Sequence, residues 1–321
     1  MSTLLNCIAL TIIAASSAAM TSAAPVGDNP NLLWYDKPAV RWVEALPVGN
    51  GRLSAMVFAG VGQERLQLNE GTLWAGGPYN PVNPEAKEAL PQVRQLVNET
   101  KYGEAAKLIS AKVMAKPLNQ MPYQTVGDLL LTFPGATNVV NYNRRLDLDT
   151  ATASVSYSSD GVRFAREIFA SAPDHVIVVR LTADQPGRIS FVASMKTPMA
   201  ASVETTGDDT LVMRGTGGSA GGIKGQLKYE ARVQVIANGG KTTADAGEIA
   251  VSNANEVTLL ITAATSYRKF DDVSGDPKSI VKTRLDAATR KSAATRPPVG
   301  RQPGASACGR TWATAIMPSR F

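Results

Sequence analysis

The sequence predicts a mainly β protein: a large antiparallel β-sandwich with a helical insertion around residues 84–116 and a C-terminal linker helix. Short apolar segments separated by Gly, Pro, Asn and Asp recur along the 321 residues, and several alternate between apolar and polar side chains. The composition, 44% hydrophobic and 19% charged, supplies enough apolar side chains for a buried core. Disordered, collagen-like and small disulfide-dense proteins are therefore excluded.

The clearest predicted strand covers residues 227–237, where Leu227 and Tyr229 belong to an apolar face and Lys228 and Arg232 to a polar one. This alternation is typical of an antiparallel strand with one buried face. Further strands are predicted at residues 53–58, 129–133, 153–157, 162–170, 175–182, 188–194, 210–214 and 256–263. The glycine-rich segment 215–225 matches no phosphate-binding pattern and predicts a flexible hairpin connection.

Two segments have helical periodicity. Within residues 84–116 apolar side chains recur every three or four positions, and Pro91 is expected to break or bend the helix. The second helix, residues 276–291, begins with Asp276 as a side-chain cap and Pro277 at the first helical position. We expect this second helix to lead away from the sandwich as a linker.

The two ends of the chain differ from its body. Residues 1–24 combine an apolar run with small residues, which is typical of a signal peptide and predicts a secreted or periplasmic protein with no membrane segment after cleavage. Cleavage would remove Cys7 and leave Cys308 without an internal disulfide partner. Residues 292–321 carry no acidic residue and no apolar period, so we expect a disordered or frameshifted tail.

The net charge of +6 does not indicate a nucleic-acid partner. Six of the 33 basic residues and none of the 27 acidic residues follow residue 286, so the body of the chain is electrically balanced. A protein that follows a phosphate backbone needs basic residues spread over its folded surface. We therefore expect no nucleic-acid binding.

Few residues offer catalytic chemistry. His175 is the single histidine and precedes an apolar run, a position typical of a strand end rather than a catalytic base. No Gly-x-Ser-x-Gly motif is present, which argues against a serine hydrolase. A glycosidase needs only two carboxylic acids at a controlled separation, for which Glu64, Glu70 and Asp128 are candidates. No metal or organic cofactor is expected.

Glu70 and Trp74 lie in a run of polar, aromatic and glycine residues at 66–78, which we expect to form a loop after a strand. Aromatic faces pack on sugar rings while amide and carboxylate groups bind hydroxyls, so this run is typical of a sugar site. The same composition can also lock a loop by internal hydrogen bonds. The residues alone leave both interpretations open.

Four segments, 46–57, 66–78, 121–129 and 163–181, resemble the amino-terminal domain of glycoside hydrolase family 95. Their order and spacing carry the resemblance, which covers about residues 32–288. Two positions depart from the family pattern: Gly71 stands where an acid is more usual, and Thr125 where proline is usual.

The resemblance implies that residues 30–272 form the β-sandwich (supersandwich) domain of a secreted α-L-fucosidase, joined by helices to an (α/α)6 barrel that performs inverting hydrolysis. It places the general acid and base in the barrel, so no residue of this chain is assigned a catalytic role. Fucosylated glycans or oligosaccharides, bound through that barrel, are the implied partners. The predicted substrate-adjacent loop residues, reaching toward the barrel's pocket, are Asn69, Glu70, Trp74 and Gln124.

Three hypotheses follow. The chain is truncated before the barrel and inactive alone, with a reading-frame shift accounting for the tail after residue 291. Alternatively it is a freestanding carbohydrate-binding or structural β-domain. The third hypothesis is an intact enzyme that uses acids such as Glu70 and Asp128.

Overall fold

The structure, a computed structural model, describes residues 29–294. The predicted signal peptide, both cysteines and nearly all of the predicted tail lie outside the described residues. The strands are β1 (Leu32–Tyr35), β2 (Leu46–Gly49), β3 (Leu53–Val57), β4 (Gln63–Glu70), β5 (Gly127–Thr132), β6 (Val140–Asp147), β7 (Thr152–Ser159), β8 (Val162–Ser171), β9 (Val176–Ala183), β10 (Ile189–Lys196), β11 (Ala201–Thr206), β12 (Thr210–Thr216), β13 (Lys228–Asn238), β14 (Lys241–Asp245), β15 (Glu248–Ala254) and β16 (Glu256–Thr265). In this part of the chain, no helix is long and apolar enough to cross a membrane.

The strands form two antiparallel sheets whose inner faces share one apolar core. The nine-stranded sheet has the order β1-β6-β7-β8-β9-β16-β13-β12-β11, and the seven-stranded sheet has the order β14-β15-β10-β5-β4-β3-β2. Leu66 and Phe191 of the smaller sheet and Ile168 and Leu259 of the larger one belong to the same buried cluster. The mainly β sandwich that the sequence predicts is therefore confirmed.

Every strand that the sequence predicts is present, with ends shifted by a few residues. The glycine-rich segment joins β12 to the antiparallel β13, which confirms the hairpin connection. The apolar pattern does not predict β1, β2, β4, β6, β11, β14 and β15. Of these, β1, β2, β11 and β14 are the outer strands of the two sheets. The edge strands β1, β11 and β14 have no fully buried side chain, and β2 has only four residues, so none of them gives a clear apolar alternation.

The predicted helical insertion lies between β4 and β5. It consists of α1 (Ala86–Asn98), α2 (Tyr102–Leu108) and a π-helical turn (Ile109–Val113). Of the break or bend predicted at Pro91, the break is absent, because α1 continues through this residue. Pro91 lies in the second turn of α1. It has no N–H to donate to the carbonyl of Lys87, and because Lys87 is exposed, water can bind that carbonyl instead.

The C-terminal helix α3 (Pro277–Ala294) does not lead away from the sandwich, contrary to expectation. Its predicted cap is confirmed, since the Asp276 carboxylate accepts backbone N–H groups of the first turn. Leu285 and Ala288 then pack against Leu260 on the outer face of the nine-stranded sheet. The central strands of this sheet are apolar on both faces, so the outer face also requires a cover. The helix extends three residues into the predicted tail.

One ion pair is buried inside the sandwich. Arg166 Nη1 donates to Glu64 Oε2 at 2.9 Å, and both side chains are almost fully buried. Burial raises the pKa of Glu64 above its ordinary value, and the attraction of Arg166 offsets this only partly. Arg166 also donates to the carbonyl oxygens of Gly60 and Val61, which ties the β3–β4 turn to β8.

We expect Arg166→Met to lower the free energy of unfolding by about 3–5 kcal/mol, because Glu64 would stay buried without its partner. Urea denaturation of the variant and the parent chain measures this difference. The control is Lys282→Met, which removes an exposed helical pair with Asp286 and should change stability little. Equal small effects of the two substitutions would contradict the structural role of the buried pair.

Candidate functional site

Three loops meet at one end of the sandwich and form a surface that we call the loop platform. They are residues 71–78 after β4, residues 121–126 before β5, and residues 217–227 between β12 and β13. Backbone hydrogen bonds join them: Ala75 N–H donates to the Pro122 carbonyl at 2.9 Å, and Gly76 N–H donates to the Gly218 carbonyl at 2.8 Å. The platform is thus a single hydrogen-bonded unit assembled from three distant segments.

Close approach of neighbouring atoms explains two glycines of the third loop, Gly218 and Gly225. A Cβ atom on Gly225 would lie 1.9 Å from the carbonyl oxygen of Gly217, and one on Gly218 would lie 2.9 Å from Gln124 Nε2. Any larger residue at Gly225 would force the backbone apart. The glycine-rich composition therefore permits packing within the platform, and it does not mark a phosphate site.

The platform carries an exposed aromatic pair. Trp74 and Tyr123 are each 41% exposed, and their ring centroids lie 5.4 Å apart at an interplanar angle of 74°. Trp74 Nε1 donates to the Gly71 carbonyl and Tyr123 Oη donates to the Glu70 carbonyl, both at 3.2 Å. These bonds hold both rings in place, so they offer a fixed apolar surface suited to the C–H face of a sugar ring.

Tyr123 was not among the predicted site residues, although it belongs to the 121–129 motif. The bridge between Trp74 and Tyr123 pairs two segments that lie far apart in the sequence. A single tyrosine in a loop gives no signal of such a partner. Only the fold brings the two rings together.

Gln124 supports the platform from within. Its side-chain Oε1 accepts the N–H of Gly218 at 3.0 Å, and its backbone N–H donates to the Leu73 carbonyl at 2.9 Å. The residue is half-buried. Of the four predicted site residues, Trp74 and Gln124 therefore lie in the platform, one as an exposed surface and the other as a support.

Asn69 and Glu70 end strand β4 instead of lying in a loop, and alternation places them on opposite faces of the sheet. Glu70 is only 1% exposed. Its carboxylate accepts a hydrogen bond from Arg52 Nε at 2.6 Å. It also accepts hydrogen bonds from the backbone N–H and the hydroxyl of Thr72, at 2.8 and 2.5 Å. The Thr72 hydroxyl in turn contacts the Thr265 hydroxyl at 2.5 Å, so Glu70 anchors the first platform loop to β16.

Two arginines, Arg52 and Arg284, lie near Glu70 and His175. Burial, with the charges of Arg284 and Arg52, lowers the pKa of His175, so the neutral imidazole is favoured near neutral pH. Burial and the charge of Glu70 raise the pKa of Tyr123, which keeps its phenol protonated as a donor. His175 precedes β9 and its carbonyl accepts the Thr262 hydroxyl, as expected of a strand-end residue.

The three candidate acids do not form a catalytic pair. Glu64 is bound to Arg166 inside the sandwich. Glu70 belongs to the inner face of the seven-stranded sheet, whereas Asp128 pairs with Arg65 on its outer face at 3.0 Å. Acids on opposite faces of one sheet cannot act on one glycosidic bond. Among residues 29–294, no group of three His, Cys, Asp or Glu side chains is placed to hold a metal ion.

We expect Gln124→Ala to speed amide hydrogen exchange in residues 215–226, because Gly218 N–H loses its acceptor. Exchange in β15, which lies next to the edge strand β14 of the seven-stranded sheet, should stay unchanged. Hydrogen-exchange mass spectrometry of the full chain measures both regions. Gln185→Ala, an exposed amide substitution away from the platform, is the matched control, and a similar profile for both variants would argue against the role of Gln124.

Comparison with known proteins places this fold in a family. Residues 33–270 match the family model described as glycosyl hydrolase family 65, N-terminal domain. The chain is 41% identical over 192 residues to "Alpha-L-fucosidase 2" of Arabidopsis thaliana, a match covering 59% of this chain and 22% of that protein.

Two fungal proteins are also similar. "Probable alpha-fucosidase A" of Aspergillus niger is 30% identical over 276 residues, which cover 80% of this chain and 33% of the relative. The protein of the same name from Aspergillus oryzae is 30% identical over 161 residues, covering 47% of this chain and 21% of the relative. The matches thus span between 21% and 33% of the length of these relatives. This chain belongs to the glycosyl hydrolase family 65 N-terminal domain family, and it is a fucosidase-like glycoside hydrolase N-terminal domain, as the resemblance to family 95 predicts.

Proposed function

We propose that this chain is the β-sandwich part of a secreted α-L-fucosidase that removes terminal α-L-fucose from glycans by inverting hydrolysis in an (α/α)6 barrel. The observation that carries the proposal is the 41% identity to a protein named Alpha-L-fucosidase 2 over 192 residues. Secretion rests on the signal-peptide pattern of residues 1–24. The substrate class rests on the names of the relatives.

The chemistry of the described residues supports the proposal that the chain is inactive alone. An inverting glycosidase needs two carboxyl groups about 6.5–9.5 Å apart, with a water molecule and the sugar between them. Glu64 and Glu70 are buried and bonded to arginines, and Asp128 faces the other side of the sheet. The proposal accordingly assigns the acid and base of the reaction to the barrel.

The platform supplies binding in this proposal. Trp74 and Tyr123 present a rigid aromatic surface, and remote contacts of this kind raise catalytic efficiency by positioning the substrate. Asn69, Glu70 and Gln124 hold or border that surface, and their nearness to substrate remains a prediction.

A second candidate function is a freestanding carbohydrate-binding domain. The exposed aromatic pair favours it, because such a surface can bind a glycan without any catalytic group. Affinity of the chain for fucosides, lost in Trp74→Ala, would favour this function if the activity tests below fail.

The chain without residues 1–24 should release no nitrophenol from nitrophenyl α-L-fucoside. A chimaera that adds the region of Arabidopsis Alpha-L-fucosidase 2 following the matched segment should release it. NMR of the first product should show β-L-fucose, since inversion changes the anomeric configuration. Release by the chain alone would overturn the placement of the catalytic acids, and α-L-fucose as first product would overturn inversion.

Trp74→Ala in the chimaera should lower kcat/KM about tenfold, as expected when an aromatic platform contact worth about 1.4 kcal/mol is removed. Steady-state kinetics on a fucosylated oligosaccharide measure this loss. Trp34→Ala, which truncates another exposed tryptophan in β1, is the control. If the two variants have the same kcat/KM, the platform does not contact substrate.

A further inference from the structure

A cavity of about 230 Å³ lies at the opposite end of the sandwich, and we call it the distal pocket. It is bordered by residues 133–136 after β5, the β7–β8 turn, residues 187–190 and Asn253. Strand β4 runs from the distal pocket to the loop platform. Its first residue, Gln63, pairs with Thr132 beside the pocket, and its last residue, Glu70, precedes the platform. The distal pocket is therefore separate from the loop platform.

Small residues leave room for the pocket. Gly135 and Ala136 line it in the loop after β5, where bulkier side chains would fill the open end between the two sheets. Gly187 has φ of +70°, a conformation that favours glycine in the tight turn at the rim.

The walls of the pocket are aromatic. The rings of Tyr157 and Phe164 stack with centroids 5.4 Å apart and an interplanar angle of 24°. At the floor, the Arg166 guanidinium lies 4.2 Å from the ring centroid of Phe133. Tyr157 is only 4% exposed and supports the half-buried Phe164, whose ring is the apolar surface available to the C–H face of a sugar.

The rim is polar and held in place. Asp160 accepts Asn138 Nδ2 at 3.0 Å and the Thr137 hydroxyl at 2.9 Å, which joins the β7–β8 turn to the loop after β5. These bonds lower the pKa of Asp160, so its carboxylate is ionised and available as an acceptor. On the facing side, Ser190 Oγ accepts the Asn253 N–H at 2.9 Å.

The charges around the pocket balance. Glu64 neutralises Arg166 at the floor, and the positive charge of Arg188 at the rim acts on Asp160. A balanced lining favours a neutral, hydroxylated ligand over an anion. The volume is below the roughly 300–1,000 Å³ of pockets for drug-sized ligands and far above the ~30 Å³ share of one water molecule.

We propose that the distal pocket is a non-catalytic binding site for a single neutral pyranose, either free or at the end of a glycan. Phe164, supported from behind by Tyr157, packs on the ring, and Asp160 and Arg188 bind its hydroxyl groups. This site goes beyond the proposed function and does not depend on it. Its test uses binding to the chain alone, whereas the proposed function is tested by hydrolysis in the chimaera.

Saturation-transfer NMR of the full chain with methyl α-L-fucopyranoside, methyl β-D-glucopyranoside and sodium sulfate tests the site. We expect saturation transfer to at least one pyranoside at millimolar concentration, and no competition by sulfate. Arg188→Ala, an exposed rim substitution, should raise the Kd for that pyranoside at least threefold. Phe164→Ala should raise the same Kd at least tenfold. Arg163→Ala, an exposed arginine of β8 outside the pocket, should leave the affinity unchanged.

Three results would overturn the proposal. The first is no saturation transfer to either pyranoside. The second is competition by sulfate, which would make the pocket an anion site. The third is pyranoside binding that survives Arg188→Ala and is lost in Tyr123→Ala, which would place the sugar on the loop platform. Since Arg188 is exposed, its variant decides the outcome even if Phe164→Ala fails to fold.

Discussion

Packing of the two inner sheet faces against each other is the constraint on which the rest of this structure depends. Side chains alternate along each strand, so every second side chain points into the shared core. Leu66, Ile168 and Leu259 belong to this core. Neither face can be altered without exposing apolar surface. Variation is left to the ends of the sandwich, where the strands stop, and both the loop platform and the distal pocket lie at those ends.

Buried carboxylates connect these ends to the core. Glu64 binds Arg166 and the turn that follows β3, and Glu70 binds Arg52 and the first platform loop. Such charges are costly to bury, so each is surrounded by donors that compensate it. Two of the three acids that look catalytic in the sequence, Glu64 and Glu70, therefore position loops, and the surfaces beside those loops are candidates for binding.

The platform depends on long-range pairing. Trp74, Tyr123 and Gly218 come from three loops that are far apart in the chain, and backbone hydrogen bonds hold them together. Their positions follow from the order of strands in the sheets: β4 neighbours β5, while β12 and β13 pair in the opposite sheet. Helix α3 covers the outside of that second sheet, which leaves the platform uncovered at the end of the sandwich.

The sequence by itself determined the mainly β class, the helical insertion and the capped start of α3, because alternation, helical periodicity and capping are local patterns. It also determined the family, since four motifs in fixed order are specific. Only the tertiary structure decided the edge strands, the docking of α3, the Trp74–Tyr123 pair and the opposite placement of Glu70 and Asp128. These depend on contacts between distant segments, and no local pattern records which segments become neighbours when the two sheets close.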